Sequence, residues 1–404
     1  MVHIPACARP AAALVLLPLV AGCGESPEGA SGGGWAGSID TLANGQVVVH
    51  NQDVPLWDDG EEWALEERFR LGAMDGDGAD VFGEILDVEI GPDGELYVLD
   101  SQASEIRVFD QTGAHVRTLG RAGEGPGELN QPAGITLGPD GHLWVMNWRN
   151  SRFTAYDVAT GEATLEPRRL SFFTRYPWPG RFDADGRLLD VGISREWSEG
   201  GDPVLLLLDA EYVPTDTLRM PDADDRDRIL FARDGVPVSS VLEPFAPQPA
   251  WAPHPDRGIV VGEGDAYRIH HLGFEGDTTR TVEVTRDPTP VSGAERDSAL
   301  AAFADLVERF DDARPERDPD VPGDKPAHGA ITVDDTGHLW VRRTVADGEP
   351  HAWDVFDPEG RLLGSVDLPI DLGYVEPVIR GRRVVLVTEL DGIPTVVSYD
   401  IVGR

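Results

Sequence analysis

One sequence motif occurs twice in the chain, and this repeat decides the predicted fold. Residues 87–98 read DVEIGPDGELYV, and residues 134–145 read GITLGPDGHLWV. The equivalent aspartates of the two copies, Asp93 and Asp140, are 47 positions apart in the chain. A fixed period of this length is typical of propellers and solenoids.

Each copy has the pattern of four short antiparallel strands. In the first copy, a turn at residues 92–94 separates the alternating apolar positions of residues 87–90 from a second run that begins at Leu96. A third run at residues 106–109 ends in another turn, and residues 116–119 form a fourth run. Alternation on both sides of a Pro-Asp-Gly turn predicts a β-hairpin. Four such strands in a unit of about 40–50 residues predict one blade of a β-propeller.

Weaker copies of the unit continue to the end of the chain. Residues 335–341 read DTGHLWV, close to the second copy, and residues 355–360 read VFDPEG, close to VFDQTG at residues 108–113. Three further units are centred on residues 182–209, 251–276 and 378–400. The sequence therefore predicts an all-β, six-bladed β-propeller over residues 46–404.

The last unit contains only three strands before Arg404. An N-terminal run at residues 65–71 has no partner in the first unit. Because an open β array leaves exposed edges, we expect this run to be the fourth strand of the last unit and to close the ring.

Two insertions interrupt the period. Residues 221–249 are rich in Asp and Pro and predict a long loop. Residues 285–325 contain a capping box at residues 292–295 (SGAE) and predict one helix that Pro315 ends. Apolar residues follow the box at helical spacing, which predicts a stripe that packs on the parent domain or docks a partner: Leu300, Phe303, Leu306, Val307 and Phe310.

The N-terminus has the pattern of a processing segment. Residues 11–20 are apolar but too short to span a bilayer. Residues 19–23 (LVAGC) resemble a bacterial lipobox, and this resemblance implies a signal peptide at residues 1–22 and a lipidated Cys23. Residues 23–45 then form a flexible tether. We expect a lipid-anchored protein of the bacterial cell envelope, at the outer rather than the inner membrane because Gly24 is not the aspartate of an inner-membrane retention signal.

The chain is strongly acidic, with 72 acidic and 34 basic residues and a net charge of −38. Such a charge repels nucleic acids and anionic lipid surfaces, so we expect no nucleic-acid partner and membrane contact through the N-terminal lipid alone. A well-solvated exterior explains the same composition. We expect a monomer.

The insertions predict which face binds a ligand. In a propeller, the links between blades share one face with the loops that join second and third strands, and both insertions are such links. Basic and aromatic residues and one asparagine fall on this face and are the predicted ligand-binding residues: Trp148, Arg149, Asn150, Arg175, Trp178, Arg195, Trp251, His328, Arg342 and Arg343. Together they suit an anionic or carbohydrate-like ligand. The alternative interpretation is that the arginines neutralise nearby carboxylates and the tryptophans pack between blades.

A family resemblance adds to this interpretation. Residues 120–129 (GRAGEGPGEL), followed by PAGI at residues 132–135, resemble NHL-type repeats of six-bladed β-propellers. The whole arrangement is similar to bacterial six-bladed propeller lipoproteins of unassigned function. The resemblance implies the fold and leaves the activity open.

Six-bladed propellers also include calcium-dependent lactonases and esterases and zinc-dependent lyases, whose sites lie in the central channel. This sequence has no Gly-x-Ser-x-Gly elbow, Walker loop or paired-cysteine motif. The neighbouring His270 and His271 point to opposite faces of a strand and cannot share a metal. The sequence thus favours a module that binds a small molecule or an envelope protein without a cofactor. The alternative hypothesis is a calcium- or zinc-dependent lactonase, esterase or lyase with its site in the central channel. A structural role is a third hypothesis.

Overall fold

The computed structural model describes residues 34–403, except for residues 59, 172–175, 194–202, 220–226, 257, 311 and 371–374. Within these residues, 29 strands form seven sheets, and a single helix lies among them. The chain is therefore all-β, as its repeats predict. The strands that come before the first repeated unit are β1 (Gly37–Thr41), β2 (Val47–Gln52) and β3 (Ala64–Leu71).

Each of the first two repeated units forms a four-stranded antiparallel sheet. The first sheet contains β4 (Ile85–Ile90), β5 (Leu96–Asp100), β6 (Glu105–Phe109) and β7 (His115–Leu119). The second contains β8 (Pro132–Leu137), β9 (His142–Asn147), β10 (Arg152–Asp157) and β11 (Ala163–Leu165). The turn glycines Gly94 and Gly141 have φ angles of 77° and 81°. This left-handed conformation disfavours a β-carbon, which explains the glycine in both Pro-Asp-Gly turns.

The remaining elements follow in chain order. The third sheet contains β12 (Arg181–Phe182), β13 (Leu188–Ile193), β14 (Pro203–Leu208) and β15 (Pro214–Arg219). The first insertion supplies β16 (Arg228–Arg233) and β17 (Val236–Leu242). The fourth sheet contains β18 (Ala250–His254), β19 (Gly258–Gly262), β20 (Arg268–Leu272) and β21 (Thr278–Thr285).

The second insertion supplies α1 (Gly293–Arg309) and β22 (Arg314–Pro315). The fifth sheet contains β23 (His328–Val333), β24 (Leu339–Arg343), β25 (Ala352–Phe356) and β26 (Leu362–Asp367). The sixth contains β27 (Val378–Arg380), β28 (Arg383–Leu390) and β29 (Ile393–Val402).

Apolar clusters join each sheet to the next. One cluster packs the first sheet on the second, and a larger one joins the second, third and fourth sheets around the buried Trp144. Val260 and Val341 pack the fourth sheet on the fifth, and Trp353 and Val397 pack the fifth on the sixth. A last cluster packs the sixth sheet against the first. The first strands contact one another, β4 with β8 and β27, and β18 with β23. These contacts are consistent with a six-bladed propeller in which the first strands are innermost.

The N-terminal strands attach to two different sheets. Strand β3 pairs antiparallel with β29, with Leu71 opposite Val396, and supplies a fourth strand to the sixth sheet. Strands β1 and β2 form a hairpin, and β2 pairs parallel with β21 at the edge of the fourth sheet. This six-stranded sheet is not predicted from the repeats. Strand β1 lies within residues 23–45, the range for which the sequence predicts a flexible tether.

The first insertion differs from its prediction. Instead of a long loop, β16 and β17 form an antiparallel hairpin, and β22 from the second insertion pairs with β16. The reason is the alternation of Ile229 and Phe231, both fully buried, with more exposed neighbours, a strand pattern within a polar stretch.

The second insertion contains the predicted helix and capping box. The Ser292 hydroxyl accepts from the Glu295 backbone N–H at 3.1 Å, and the Glu295 carboxylate accepts from the Ser292 N–H at 2.9 Å. The helix ends at Arg309, before Pro315, with Phe310 as its C-cap. Within the described part of the chain, no helix has the length and apolar composition needed to cross a membrane.

The apolar stripe of α1 packs on the hairpin rather than on the propeller sheets. Phe310 and Phe303 lie 4.5 and 6.1 Å from Phe231 between ring centroids. Leu300 is 40% exposed and takes no part in this cluster. The two insertions therefore share a small core of their own, which explains the helical spacing better than either predicted role.

Candidate functional site

A cavity of about 400 Å³ lies where the links into four first strands meet. The links come before β12, β18, β23 and β27, and β24 adds Arg342. We call this cavity the inner pocket. Its polar and aromatic lining residues are Tyr176, Gln248, Trp251, His328, Arg342 and Glu376. The ends of both insertions supply walls, since Gln248 closes the first and Pro326 follows the second.

Arg342 is the exposed cation of the inner pocket. Within the described residues, its guanidinium has no hydrogen-bond or ion-pair partner. A β-carbon at position 329 would lie 2.5 Å from the Arg342 Nε, so Gly329 makes room for this side chain. The guanidinium consequently lies at the pocket wall with N–H donors that no described residue uses.

The neighbouring Arg343 has a different role. Its guanidinium lies 3.7 Å from the Asp354 carboxylate and 3.5 Å from that of Asp53. Asp354 is fully buried and also accepts from the Tyr267 hydroxyl and from Arg286, each at 2.7 Å. This network binds the fourth sheet to the fifth. Arg343 therefore neutralises carboxylates, as the alternative interpretation of the arginines states.

Glu376 provides an acidic group in the same pocket. Its side chain is open to the cavity, but the surrounding protein atoms desolvate it. Desolvation raises the pKa of Glu376 above its usual value, and the positive charge of Arg342 opposes that rise. The two side chains thus act on each other electrostatically. No Arg342 nitrogen lies within 4.0 Å of a Glu376 carboxylate oxygen, so they form no ion pair.

His328 is a packed residue with one edge in the pocket wall. It is 2% exposed, its Nδ1 lies 2.8 Å from the Gly329 carbonyl oxygen, and its ring contacts Tyr267 edge-on. A β-carbon at Gly262 would lie 2.5 Å from its Nε2, so this nitrogen points at the backbone of the fourth sheet. Burial lowers the pKa of His328, and the ring is neutral at pH 7. The ring shapes the pocket without presenting a charge to a ligand.

Aromatic rings and prolines form the apolar part of the inner pocket. Trp251 is half-buried, and Tyr176 is 53% exposed at the rim. Trp148 is 40% exposed and contacts Tyr176 edge-on, with 6.5 Å between ring centroids. The aromatic surface therefore continues from the pocket onto the loop between β9 and β10.

A second cavity of about 1090 Å³ continues from the inner pocket. The two share Pro326, His328, Gly329 and Arg342. We call this cavity the outer groove. Its floor is the loop between β24 and β25, and α1 borders it at Glu295, which is paired with Lys325. Arg342 stands at the boundary, within reach of both spaces.

Several predicted residues lie elsewhere. Trp178 is 2% exposed and belongs to the core between the second and third sheets, where its Nε1 donates to Asp190 at 2.8 Å. Trp178 is therefore a core residue that does not line the inner pocket, and the backbone of residue 178 approaches Gly134 closely. Arg149 and Asn150 follow Trp148 on the same loop but do not line the inner pocket. Arg175, Arg195 and Cys23 lie outside the described residues.

Glu376, Tyr176 and Gln248 are lining residues that the sequence does not reveal. Each stands in a different link, and no repeated motif marks these positions. Sequence reasoning also misses the buried Arg169, which donates to both Asp190 carboxylate oxygens at 2.8 Å. That pair fixes the link into the third sheet.

Many carboxylates are used in turns. The Asp110 carboxylate accepts from the Thr112 and Ala114 N–H groups, and Asp157 and Asp209 accept in the same way in the second and third sheets. Among the residues that the structure describes, no group of three or more His, Cys, Asp and Glu side chains is arranged to hold a metal ion. The rings of His254 and His271 lie 5.6 Å apart, while His270 points instead at Thr281.

Comparison with known proteins supports the fold. Residues 81–176 match a family model, DUF5128, described as a 6-bladed beta-propeller. No curated protein matches the chain. The chain is thus similar to bacterial six-bladed propellers, as its repeats indicate.

Solved structures with similar geometry include propellers of different activity. A Bacteroides fragilis NCTC 9343 protein described as exported is 14% identical, with a TM-score of 0.49 over 88% of this chain and 99% of its own. Virginiamycin B lyase from Staphylococcus aureus is 11% identical, with a TM-score of 0.43 over 84% of this chain and 100% of its own. A Xanthomonas campestris gluconolactonase is 15% identical, with a TM-score of 0.39 over 77% of this chain and 83% of its own. These values assign no activity to this chain.

Proposed function

We propose that this protein is a ligand-binding propeller of the bacterial cell envelope and that its inner pocket binds a small organic anion. The observation that carries the proposal is Arg342. In a chain with 72 acidic and 34 basic residues, this arginine points into a cavity without an ion-pair partner among the described residues, while Arg343 beside it contacts two carboxylates. A guanidinium with free donors suits a carboxylate, which it can bind through two parallel hydrogen bonds.

The rest of the pocket defines the remainder of the ligand. Trp251, Tyr176 and the prolines offer apolar surface, and a volume of about 400 Å³ is within the range of small-molecule sites. A carboxylate that carries a ring therefore fits better than a bare inorganic anion. Gln248 adds a polar group at the rim.

Calorimetry with a matched pair of probes tests this function. We expect the purified protein to bind 3-phenylpropionate at least about tenfold more tightly than 3-phenylpropan-1-ol, because a charge-assisted hydrogen-bonded pair contributes about 1.5–3 kcal/mol. Arg342→Gln should remove the difference. Arg149→Gln, an exposed arginine outside the pocket, should retain it. Equal binding of acid and alcohol, or no binding of the acid at millimolar concentration, would overturn the proposal.

We further infer that the six sheets form one closed ring, with β3 completing the sixth blade. The pairing of β3 with β29 and the cluster between the sixth and first sheets support this. A chain that starts at residue 72, after β3, should melt at a markedly lower temperature than one that starts at residue 54, which lacks β1 and β2 but keeps β3, since β3 covers an edge of the last sheet. Equal melting temperatures would contradict the closure.

The cellular location belongs to the same proposal. A lipid on Cys23, followed by the short tether, would hold the propeller at the envelope membrane, in the outer rather than the inner membrane. Cys23→Ser should move the protein from the membrane fraction to the soluble fraction of the cell. Unchanged membrane association would contradict the anchor.

A further inference from the structure

The inner pocket contains two opposite charges that do not pair with each other. Arg342 and Glu376 both line the cavity and both are exposed to it. They lie close enough for the charge of Arg342 to act on Glu376, but not within ion-pair distance. Among the described residues, neither side chain has an ion-pair partner elsewhere. The pocket is thus lined by a positive and a negative side chain that do not form an ion pair with each other.

A plain anion is not the best complement to this arrangement. A carboxylate bound to Arg342 brings a second negative charge close to Glu376, and like charges at short range in a partly desolvated site repel each other. A ligand that also carries a cation turns this repulsion into attraction.

We propose that the ligand is a zwitterion, an α-amino acid whose carboxylate binds Arg342 and whose ammonium group binds Glu376. This inference rests on the proposed function, because it places the carboxylate on the same arginine. The amine and carboxylate of an α-amino acid are joined through one carbon, so one small ligand presents both charges to the opposite charges that line this cavity. The outer groove, which Arg342 also borders, leaves room for the side chain.

Three related probes separate the contributions of the two charged side chains. L-Phenylalanine carries both groups, 3-phenylpropionate lacks the amine, and 2-phenylethylamine lacks the carboxylate. By calorimetry on the purified protein, we expect phenylalanine to bind at least about tenfold more tightly than either of the others. Glu376→Gln should reduce phenylalanine affinity to that of 3-phenylpropionate without weakening 3-phenylpropionate itself. Glu275→Gln, an exposed acid on a distant turn of the fourth sheet, should behave as the unmodified protein.

The outcomes distinguish this inference from the function on which it rests. If 3-phenylpropionate binds as tightly as phenylalanine, or if Glu376→Gln leaves the preference for the amine unchanged, the zwitterion proposal is wrong. An Arg342-dependent affinity for 3-phenylpropionate would then still support anion binding. If Arg342→Gln changes the binding of neither acid, both proposals are wrong. Retained binding of 3-phenylpropionate by Glu376→Gln shows that this variant is folded.

Discussion

The side-chain amide of Asn51 in β2 donates to the backbone carbonyl of Gly360 at 3.0 Å, a contact between the N-terminal hairpin and the fifth sheet. The same side chain accepts from the Leu362 N–H at 2.8 Å and is 1% exposed. One buried amide therefore satisfies a donor and an acceptor of a sheet to which its own strand does not belong.

Replacing this amide should destabilise the protein. Asn51→Ala leaves the Gly360 carbonyl and the Leu362 N–H without this partner in a buried position, and we expect the free energy of unfolding to fall by about 2–3 kcal/mol. Chemical denaturation of the variant measures the loss. Gln52→Ala, at the exposed neighbouring position, should change stability little. A loss no larger than that of the control would show that the contact does not hold the hairpin.

Breaking the Arg169–Asp190 ion pair should lower the free energy of unfolding by more than the loss of the Asn51 amide does. Both side chains are about 1% exposed, and Asp190 also accepts from Trp178. Arg169→Met removes the cation and leaves a buried carboxylate, for which a loss of about 3–5 kcal/mol is expected by chemical denaturation. Arg149→Met, at an exposed arginine, is the matched control. Near-equal stability of the two variants would contradict this assignment.

Asp87 should make stability depend on pH. Burial raises the pKa of Asp87 to about 7, and the backbone N–H of Ile135 and the charge of Arg181 only partly oppose the rise, while Glu89 adds to it. The pKa of Asp87 is higher in the folded state than in the unfolded state. The protonated carboxyl group therefore contributes its full stabilisation below about pH 4, and this stabilisation is lost as the pH rises through 7. We expect the unfolding free energy to fall by about 2–3 kcal/mol between pH 5 and pH 8 on account of this group.

Paired denaturation curves isolate the contribution of Asp87. Asp87→Asn should flatten the decline between pH 5 and pH 8, whereas Asp93→Asn, in an exposed turn of the same sheet, should leave the decline unchanged. The same slope in all three proteins would refute a raised pKa at position 87.

The two insertions should unfold together and apart from the sheets. Phe231 is fully buried in the small core that α1 and the β16–β17 hairpin share. Phe231→Ala should destabilise that core by about 3–5 kcal/mol. Hydrogen exchange should then accelerate in α1 and the hairpin while the six sheets keep their protection. Val236→Ala, at a side chain that is 63% exposed, is the control. Faster exchange throughout the chain would show one cooperative unit instead.

Local sequence determines the sheets, so the repeats predict them well. The Pro-Asp-Gly turns, the alternation around them and the capping box at Ser292 are each complete within a few residues. The binding residues are different. Glu376 is one of 72 acidic residues, and only the convergence of separate links brings it near Arg342.

Burial is the other property that composition does not reveal. Trp178 and Trp251 both stand near the start of a first strand and pack in the same apolar cluster, yet Trp178 is 2% exposed whereas Trp251 is only half-buried and also lines the inner pocket. Their difference depends on neighbours such as Gly134, far away in sequence. Trp178 and Arg343 thus have the packing and the carboxylate contacts that the alternative interpretation describes, while Trp251 and Arg342 line the pocket.

The pairing of β3 with β29 has a consequence for the order of assembly in the cell. The ribosome makes β3 before any of the six repeated units and makes β29 after all of them. The sixth sheet can therefore gain its outer strand only when synthesis is almost complete. Such long-range pairing is slow and open to mispairing. We expect the segment that becomes β3 to remain without its partner strand until β29 has been made.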